Sequence, residues 1–375
     1  MRYLIVALVL LTLHPGDGFA FDYRLEGRTR LGGFLTFEPP QGFSHTDREA
    51  ELRLGAVGTA AEGDEWVLDY EVIGQLRHEG GALEEARLGD SFDADFFRAW
   101  ARYDRGNFKL RGGRQQILFG AGMLFRPLGF FDTRIISGVV PQTNGVDGVR
   151  ATWFPDSETL IEGWLVPSGV DSRVISGMRG ETQWGILEIG AAAQYKPVSD
   201  LDFLSSFNLE LAQFGFHVKG EKVVGFWNET RMDVEQGGRG SPVRVQSVFG
   251  IDYTFNVGDG LHVLLEYSLL SEEKGFTRTD LVQGDTTLHQ LGMQLDQPVG
   301  ISTVWRTFLF FDLVDRSFQF VPQIEYALTQ STYLYLQGQF GGNIEGDSRT
   351  GRLFRRAAVP NGTESKVGLT LITFF

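Results

Sequence analysis

The sequence predicts an all-β fold: a transmembrane antiparallel up-and-down β-barrel of about 18 strands, with both chain ends periplasmic. Three observations carry this. Apolar and polar residues alternate with a period of two along most of the 375 residues. The even-numbered links between these segments are short and the odd-numbered ones include the long ones, with 168–171 and 313–315 as short exceptions, which follows the pattern of barrels with turns on one rim and loops on the other. The chain also opens on a short apolar segment and closes on an alternating strand that ends at Phe375.

Composition narrows the class before any element is placed. With 42% hydrophobic and 13% aromatic residues the chain can fill a large core, which excludes a disordered protein. A formal net charge of −14 argues against nucleic acid as a partner. The absence of cysteine excludes a disulfide scaffold, a cysteine zinc site, a thiol nucleophile and an acylated cysteine anchor. Residues 1–20 read as a secretory signal, and 21–375 as the barrel. Arg2 supplies the charged start, Tyr3 to Leu13 a mainly apolar run, and Gly18-Phe19-Ala20 the small residues of a cut site. That run is too short to span a bilayer as a helix, which takes about 20 residues. No later stretch is a helical span either.

The predicted strands, in order, are 22–36, 47–60, 65–78, 93–105, 107–119, 146–154, 157–167, 172–183 and 185–196. The second half continues with 205–219, 222–234, 243–257, 260–272, 285–296, 300–312, 316–328, 331–342 and 362–375. Two examples show the rule. Trp66, Leu68, Tyr70 and Val72 share one face, opposite Asp69 and Glu71. Leu261, Val263, Leu265, Tyr267 and Leu269 oppose His262, Glu266 and Ser268. Many segments exceed the 5–6 residues usual in soluble strands. The alternation is weakest between 172 and 219, so 16 strands is the alternative count. Long links are expected at 79–92, 120–145, 273–284 and 343–361. Pro322 falls mid-strand, where a closed barrel offers no edge to hide it, so either a bulge or a different strand register is expected there.

Alternation alone does not say which face is wet. Energetics fixes it: Arg or Lys facing lipid at mid-membrane costs about 2–4 kcal/mol, so charged positions must turn inward. Strand one then offers Arg24, Glu26, Arg28 and Arg30 to the lumen, and strand two Glu51 and Arg53. Strand four offers Arg98 and Arg102, and strand five Arg111 and Arg114. Arg150, Arg231, Glu266 and Arg306 follow on later strands. Each of these arginines has two readings: a wall-stiffening pair with a carboxylate next door, or part of a charged path for a solute. The link 120–145 is too apolar for a simple solvated loop, with Met123, Leu124, Phe125, Phe130, Phe131, Ile135 and Ile136. Folded inward it would hold Arg126, Asp132 and Arg134 toward the pore; folded outward it would cover the rim.

Residues 110–119 read Leu-Arg-Gly-Gly-Arg-Gln-Gln-Ile-Leu-Phe, followed by Gly-Ala-Gly, and Asp147-Gly148-Val149-Arg150 returns after the loop. Across 107–151 this resembles the alginate-export family of outer-membrane porins. The resemblance implies an 18-stranded barrel whose charged lumen passes an anionic polysaccharide. The motif also makes a geometric demand. With Phe108 and Leu110 outward, strict alternation sends Arg114 outward too, so a bulge at Gly112-Gly113 is expected. The C-terminal strand ending at Phe375 resembles the closing strand of bacterial outer-membrane proteins, which implies the barrel-insertion machinery as a partner.

The functional expectation is therefore a porin or channel in the outer membrane of a Gram-negative bacterium, not an enzyme. It would pass a hydrophilic solute, with an anionic solute or polysaccharide as the candidate. The alternative is a non-conducting sheath around another exported protein, such as an electron-transfer cytochrome; the chain has no CxxCH haem motif of its own. A hydrolase would need a serine near one of the histidines, for instance His262. No cofactor motif and no metal-ligand spacing is visible.

Overall fold

The structure is a computed structural model. It describes residues 22–38, 42–83, 87–169, 173–198, 209–236, 241–273, 286–314, 316–343 and 365–375. The proposed signal segment and most of the links expected at 273–284 and 343–361 lie outside these residues.

Eighteen strands form one closed antiparallel sheet. The first nine are β1 (Asp22–Glu38), β2 (Gly42–Gly63), β3 (Trp66–Leu83), β4 (Arg87–Arg105), β5 (Phe108–Gln115), β6 (Val146–Trp153), β7 (Thr159–Pro167), β8 (Val174–Trp184) and β9 (Leu187–Val198). The second nine are β10 (Leu209–Glu221), β11 (Gly225–Gln236), β12 (Val243–Phe255), β13 (Leu261–Glu272), β14 (Thr286–Val299), β15 (Thr303–Asp312), β16 (Ser317–Ala327), β17 (Thr332–Asn343) and β18 (Ser365–Phe374). Each strand pairs with its sequence neighbours, and β18 returns to β1 from Arg28 opposite Phe374 to Phe37 opposite Ser365. The count of 18 stands, including the three strands of weak alternation.

One rim carries only short links, whereas the other mixes short links, such as 313–316, with the longest. Those of the first rim, at 64–65, 106–107, 154–158, 185–186, 222–224, 256–260, 300–302 and 328–331, are all tight. The opposite rim carries 116–145, the longest link. The expected long link at 79–92 is mostly strand, because β3 runs on to Leu83 and β4 already starts at Arg87.

The two faces are inverted relative to a soluble protein. On β13, Leu265 is exposed, whereas Glu266 and Ser268 beside it are buried. On β10, Phe214 and Phe216 are exposed while Gln213 and His217 are buried. An apolar outer wall around a polar interior is stable only where the outside solvent is hydrocarbon.

Two sequence expectations are corrected. No register shift occurs at Gly112-Gly113: the β4–β5 and β5–β6 ladders run through it unbroken. Arg114 therefore keeps its place in the ladders, opposite Ala99 and Asp147, and Gly113 before it has a φ of 113°, where a Cβ would meet Ala99 O at 2.2 Å. The bulge sits one ladder away, where the β3–β4 register shifts beside Phe97. At Pro322, too, no shift occurs. The β16–β17 pairing resumes in the same register on either side, from Phe320–Phe340 to Gln323–Gln337. Proline lacks the N–H for that ladder, and Gly338 leaves room for its ring, since a Cβ there would lie 3.2 Å from Pro322 Cγ.

Candidate functional site

The link 116–145 folds into the lumen. Two wall carboxylates hold its first half. Glu229 on β11 accepts from Gly122 N at 2.7 Å and from Leu128 N. Glu266 on β13 accepts from three successive amides, Met123, Leu124 and Phe125, at 2.7–2.9 Å, and from Trp227 Nε1 at 2.8 Å. Both glutamates are sealed, at 0% and 1% exposure. Backbone donors aimed at a buried carboxylate satisfy it without a cation. Apolar contacts add to this. Leu124 packs with Trp227, Leu264, Phe308, Phe310 and Val321. Phe131 packs with Ile117, Trp164, Val166 and Ile175. Glycines form sockets for the loop: a Cβ at Gly215 would overlap Leu128, and one at Gly292 would crowd Leu124 and Phe125.

The second half of the loop continues round the wall. Ser137 O accepts from Gln323 Nε2 and Gln337 Nε2, each at 2.6 Å. Val139 packs on Tyr335 and Ile372. Gln142 bonds Arg53, and Thr143 O accepts from Arg98 Nη2 at 2.8 Å. Contacts on β4, β11, β13, β16 and β17 place the loop across the barrel interior, so the inward alternative is the one realised.

Within the loop, Asp132 gathers Arg126, Arg134 and Thr143. Arg134 donates to it through Nη2 at 2.8 Å, and Thr143 Oγ1 donates at 2.5 Å. Burial pushes the Asp132 carboxyl upward, but these donors and the charge of Arg126 outweigh it and hold its pKa below the ordinary 3.8.

Most predicted lumen arginines stand against a carboxylate. Arg24 pairs with Glu26 and is largely exposed. Arg28 and Arg53 share Glu51, and Arg30 pairs with Glu49. Arg102 meets Asp69 at 2.7 Å, and Arg231 and Arg306 meet Asp233 and Asp296 at 2.6 Å each. Arg150 lies 3.6 Å from Glu162, and Arg114 bonds both Asp147 and Asp95. These are wall pairs between neighbouring strands or along one strand.

Arg98 and Arg111 differ. Arg98 donates to the carbonyls of Phe97 and Thr143 at 2.7 and 2.8 Å and lies over the Phe97 ring. Arg111 lies over Trp100, 4.1 Å from the ring centroid. Neither has an ion pair among the described residues. Together with Arg134 they line a cavity of about 270 Å³ between the loop and β3–β5. Glu71 is its one acidic lining residue, and it is engaged by Trp100 Nε1 at 2.6 Å. The sequence had Arg98 and Arg111 on its inward face. It placed Glu71 on a polar strand face without giving it a role, and it did not single out Trp100 or Gln142.

Among the described residues His262 meets carboxylates, not a serine. Its Nε2 lies 3.1 Å from Asp252 and its Nδ1 3.7 Å from Asp296. A serine hydrolase constellation at this histidine is not formed.

No protein-family model and no curated sequence matches the chain. Solved structures do match in fold. Acinetobacter baumannii OccAB1 aligns over 96% of this chain and 98% of its own, at a TM-score of 0.61 and 10% identity. Pseudomonas aeruginosa OccK7 (OpdD) aligns over 96% and 99%, at 0.59 and 12%. Salmonella typhi OmpF, solved in complex with daunomycin, aligns over 96% and 99%, at 0.53 and 10%. These are outer-membrane porins. At such identities they establish the fold alone: a closed 18-stranded porin-like barrel.

Proposed function

We propose that this chain is a non-enzymatic outer-membrane channel that passes a hydrophilic, anionic solute, with the link 116–145 as its constriction. The observation that carries this reading is the cavity beside the loop. There Arg98 and Arg111, predicted lumen arginines that form no ion pair among the described residues, converge with Arg134 against a single glutamate. Guanidinium groups whose charge is not neutralised by a wall carboxylate attract an anion. An 18-stranded barrel is wide enough for an aqueous path. The porin-like fold and the apolar outer wall support an outer-membrane location. The C-terminal strand supports delivery by the barrel-insertion machinery. The sheath reading is weakened by the loop, which takes up lumen space that a partner protein would need. The resemblance at 107–151 makes an anionic polysaccharide such as alginate one specific form of the proposal.

The test is single-channel recording in planar bilayers under a salt gradient. Wild type is expected to conduct with anion preference. The Arg98→Gln, Arg111→Gln double variant is expected to shift the reversal potential toward zero or cation preference. Arg30→Gln, which removes a paired wall arginine, is expected to shift it much less. A wild-type channel that is silent, or a double variant with unchanged selectivity, overturns the proposal.

A further inference from the structure

A second cluster lies elsewhere on the lumen wall, away from the arginine cavity. His217 on β10 stands directly opposite Gly190 on β9, and Gly190 in turn stands opposite Glu181 on β8. Because the intervening residue is glycine, the imidazole lies flat across β9 and reaches toward β8. A Cβ at Gly190 would sit 2.1 Å from His217 Cε1. Glu188, two residues earlier on β9, completes the group. His217 Nε2 lies 3.4 Å from Glu188 Oε1 and 3.7 Å from Glu181 Oε2. One ligand atom from each of the three residues can be chosen so that all lie within 4.8 Å of one another.

His217 is 3% exposed, and its Nε2 is buried and makes no well-formed hydrogen bond, only the two longer approaches to Glu188 and Glu181. A buried polar atom of this kind calls for a specific explanation. We propose that Glu181, Glu188 and His217 form a binding site for a divalent transition-metal ion of the Zn²⁺ class. Zinc bonds to imidazole nitrogen and carboxylate oxygen are about 2.0–2.2 Å, which puts tetrahedral ligand atoms about 3.4 Å apart. The two separations from His217, 3.4 and 3.7 Å, need little adjustment to reach that value. Imidazole with two carboxylates is a donor set that suits first-row divalent metals. Three protein ligands leave the fourth position for water or a passing solute. Arg179 Nη1 donates to Glu181 Oε2 at 3.0 Å and Arg179 Nε to Glu162 Oε1 at 3.2 Å. This neighbour fixes the Glu181 carboxylate while sharing its charge with Glu162, and so orients a ligand as outer-shell donors do. The competing account is an imidazolium held between two carboxylates with no metal at all.

The site joins three strands, and its residues are 7 and 29 positions apart along the chain, from Glu181 to Glu188 and from Glu188 to His217. No spacing motif announces it, because the sheet register assembles it.

The test uses the full chain without a histidine tag, purified in detergent, stripped with chelator and titrated with Zn²⁺ by calorimetry. Wild type is expected to bind one equivalent. His217→Gln and Glu188→Gln are each expected to weaken that binding by tenfold or more, with circular dichroism spectra unchanged. A wild type that takes up no stoichiometric Zn²⁺, or variants that bind as wild type does, overturns the proposal. Should both variants misfold, X-ray absorption at the zinc edge of the loaded wild type decides. Imidazole scattering with nitrogen and oxygen neighbours supports the site, and its absence overturns it.

Discussion

Glu266 shows how one residue can do more than its position in a pattern suggests. Alternation puts it in the lumen, as it does Arg28 or Arg306. Its partners, however, are three consecutive loop amides and an indole N–H, with no cation among them. Hydrogen bonds to a charged acceptor are worth about 1.5–3 kcal/mol each, and a buried donor left alone costs a similar amount. Glu266→Gln keeps the shape but turns an NH₂ toward donors. It is expected to lower stability by about 3 kcal/mol on that scale and to expose the loop to protease. Urea unfolding in lipid vesicles measures the first, and limited proteolysis the second. An unchanged midpoint would contradict the anchoring role. The exposed Arg24–Glu26 pair is the control, since surface pairs contribute about 0–1 kcal/mol. At this scale the sequence reveals a side chain's facing but not its partner. Arg28 and Glu51 are legible as a pair because both carry charge on adjacent strands. Glu266 is not, because every residue except proline offers the same backbone donor and the loop lies more than 140 residues away in the chain.

Among the elements, the link 116–145 carries the proposed constriction, and its composition revealed more than its length. Its phenylalanines and leucines required a surface to cover, and the inward wall supplies one at Trp164, Trp227 and Phe310. Its course round the interior was hidden, because the wall glycines that form its sockets look like any other strand glycines. Asp132 ties the loop's own turns together, which gives the element a pH dependence whose sign can be worked out. The group's pKa is depressed when the loop is docked. Its stabilising contribution is therefore complete above the ordinary value of 3.8 and is lost as pH falls below that, through the docked value. Hydrogen exchange of the Arg134 amide, which donates to Asp132 at 2.9 Å, is expected to show constant protection from pH 7 to about 5, then loss of protection under stronger acid. Asp132→Asn should lack that acid step and show weaker protection throughout. An identical acid step in the variant would assign the transition to another carboxylate.

At the scale of the molecule, closure is the feature on which the others depend. A sheet in hydrocarbon tolerates no open edge, because each unpaired N–H or C=O there costs several kcal/mol. β18 removes two edges at once by pairing with both β17 and β1. The last residue contributes directly: Phe375 O accepts from Gly27 N at 2.7 Å, Phe375 N donates to Gly27 O at 3.0 Å, and the ring covers Gly27. The terminal alternation made this strand legible in the sequence, since Val367, Leu369, Leu371 and Phe375 announce a lipid face. What alternation could not supply was the register, which rests on small residues such as Gly27 and Gly368 that admit the rings of Phe375 and Phe34. Two truncations separate the energetic contributions. Removing 365–375 leaves β1 and β17 as open edges, and the chain is expected not to fold into vesicles at all. Removing Phe375 alone forfeits two hydrogen bonds and one ring contact, and is expected to fold in lower yield with reduced resistance to urea. Folding is read from circular dichroism and from the gel mobility of unheated samples. If the longer truncation folded with wild-type yield, the sheet would close without β18, and the 18-stranded barrel would not be the species that enters the membrane.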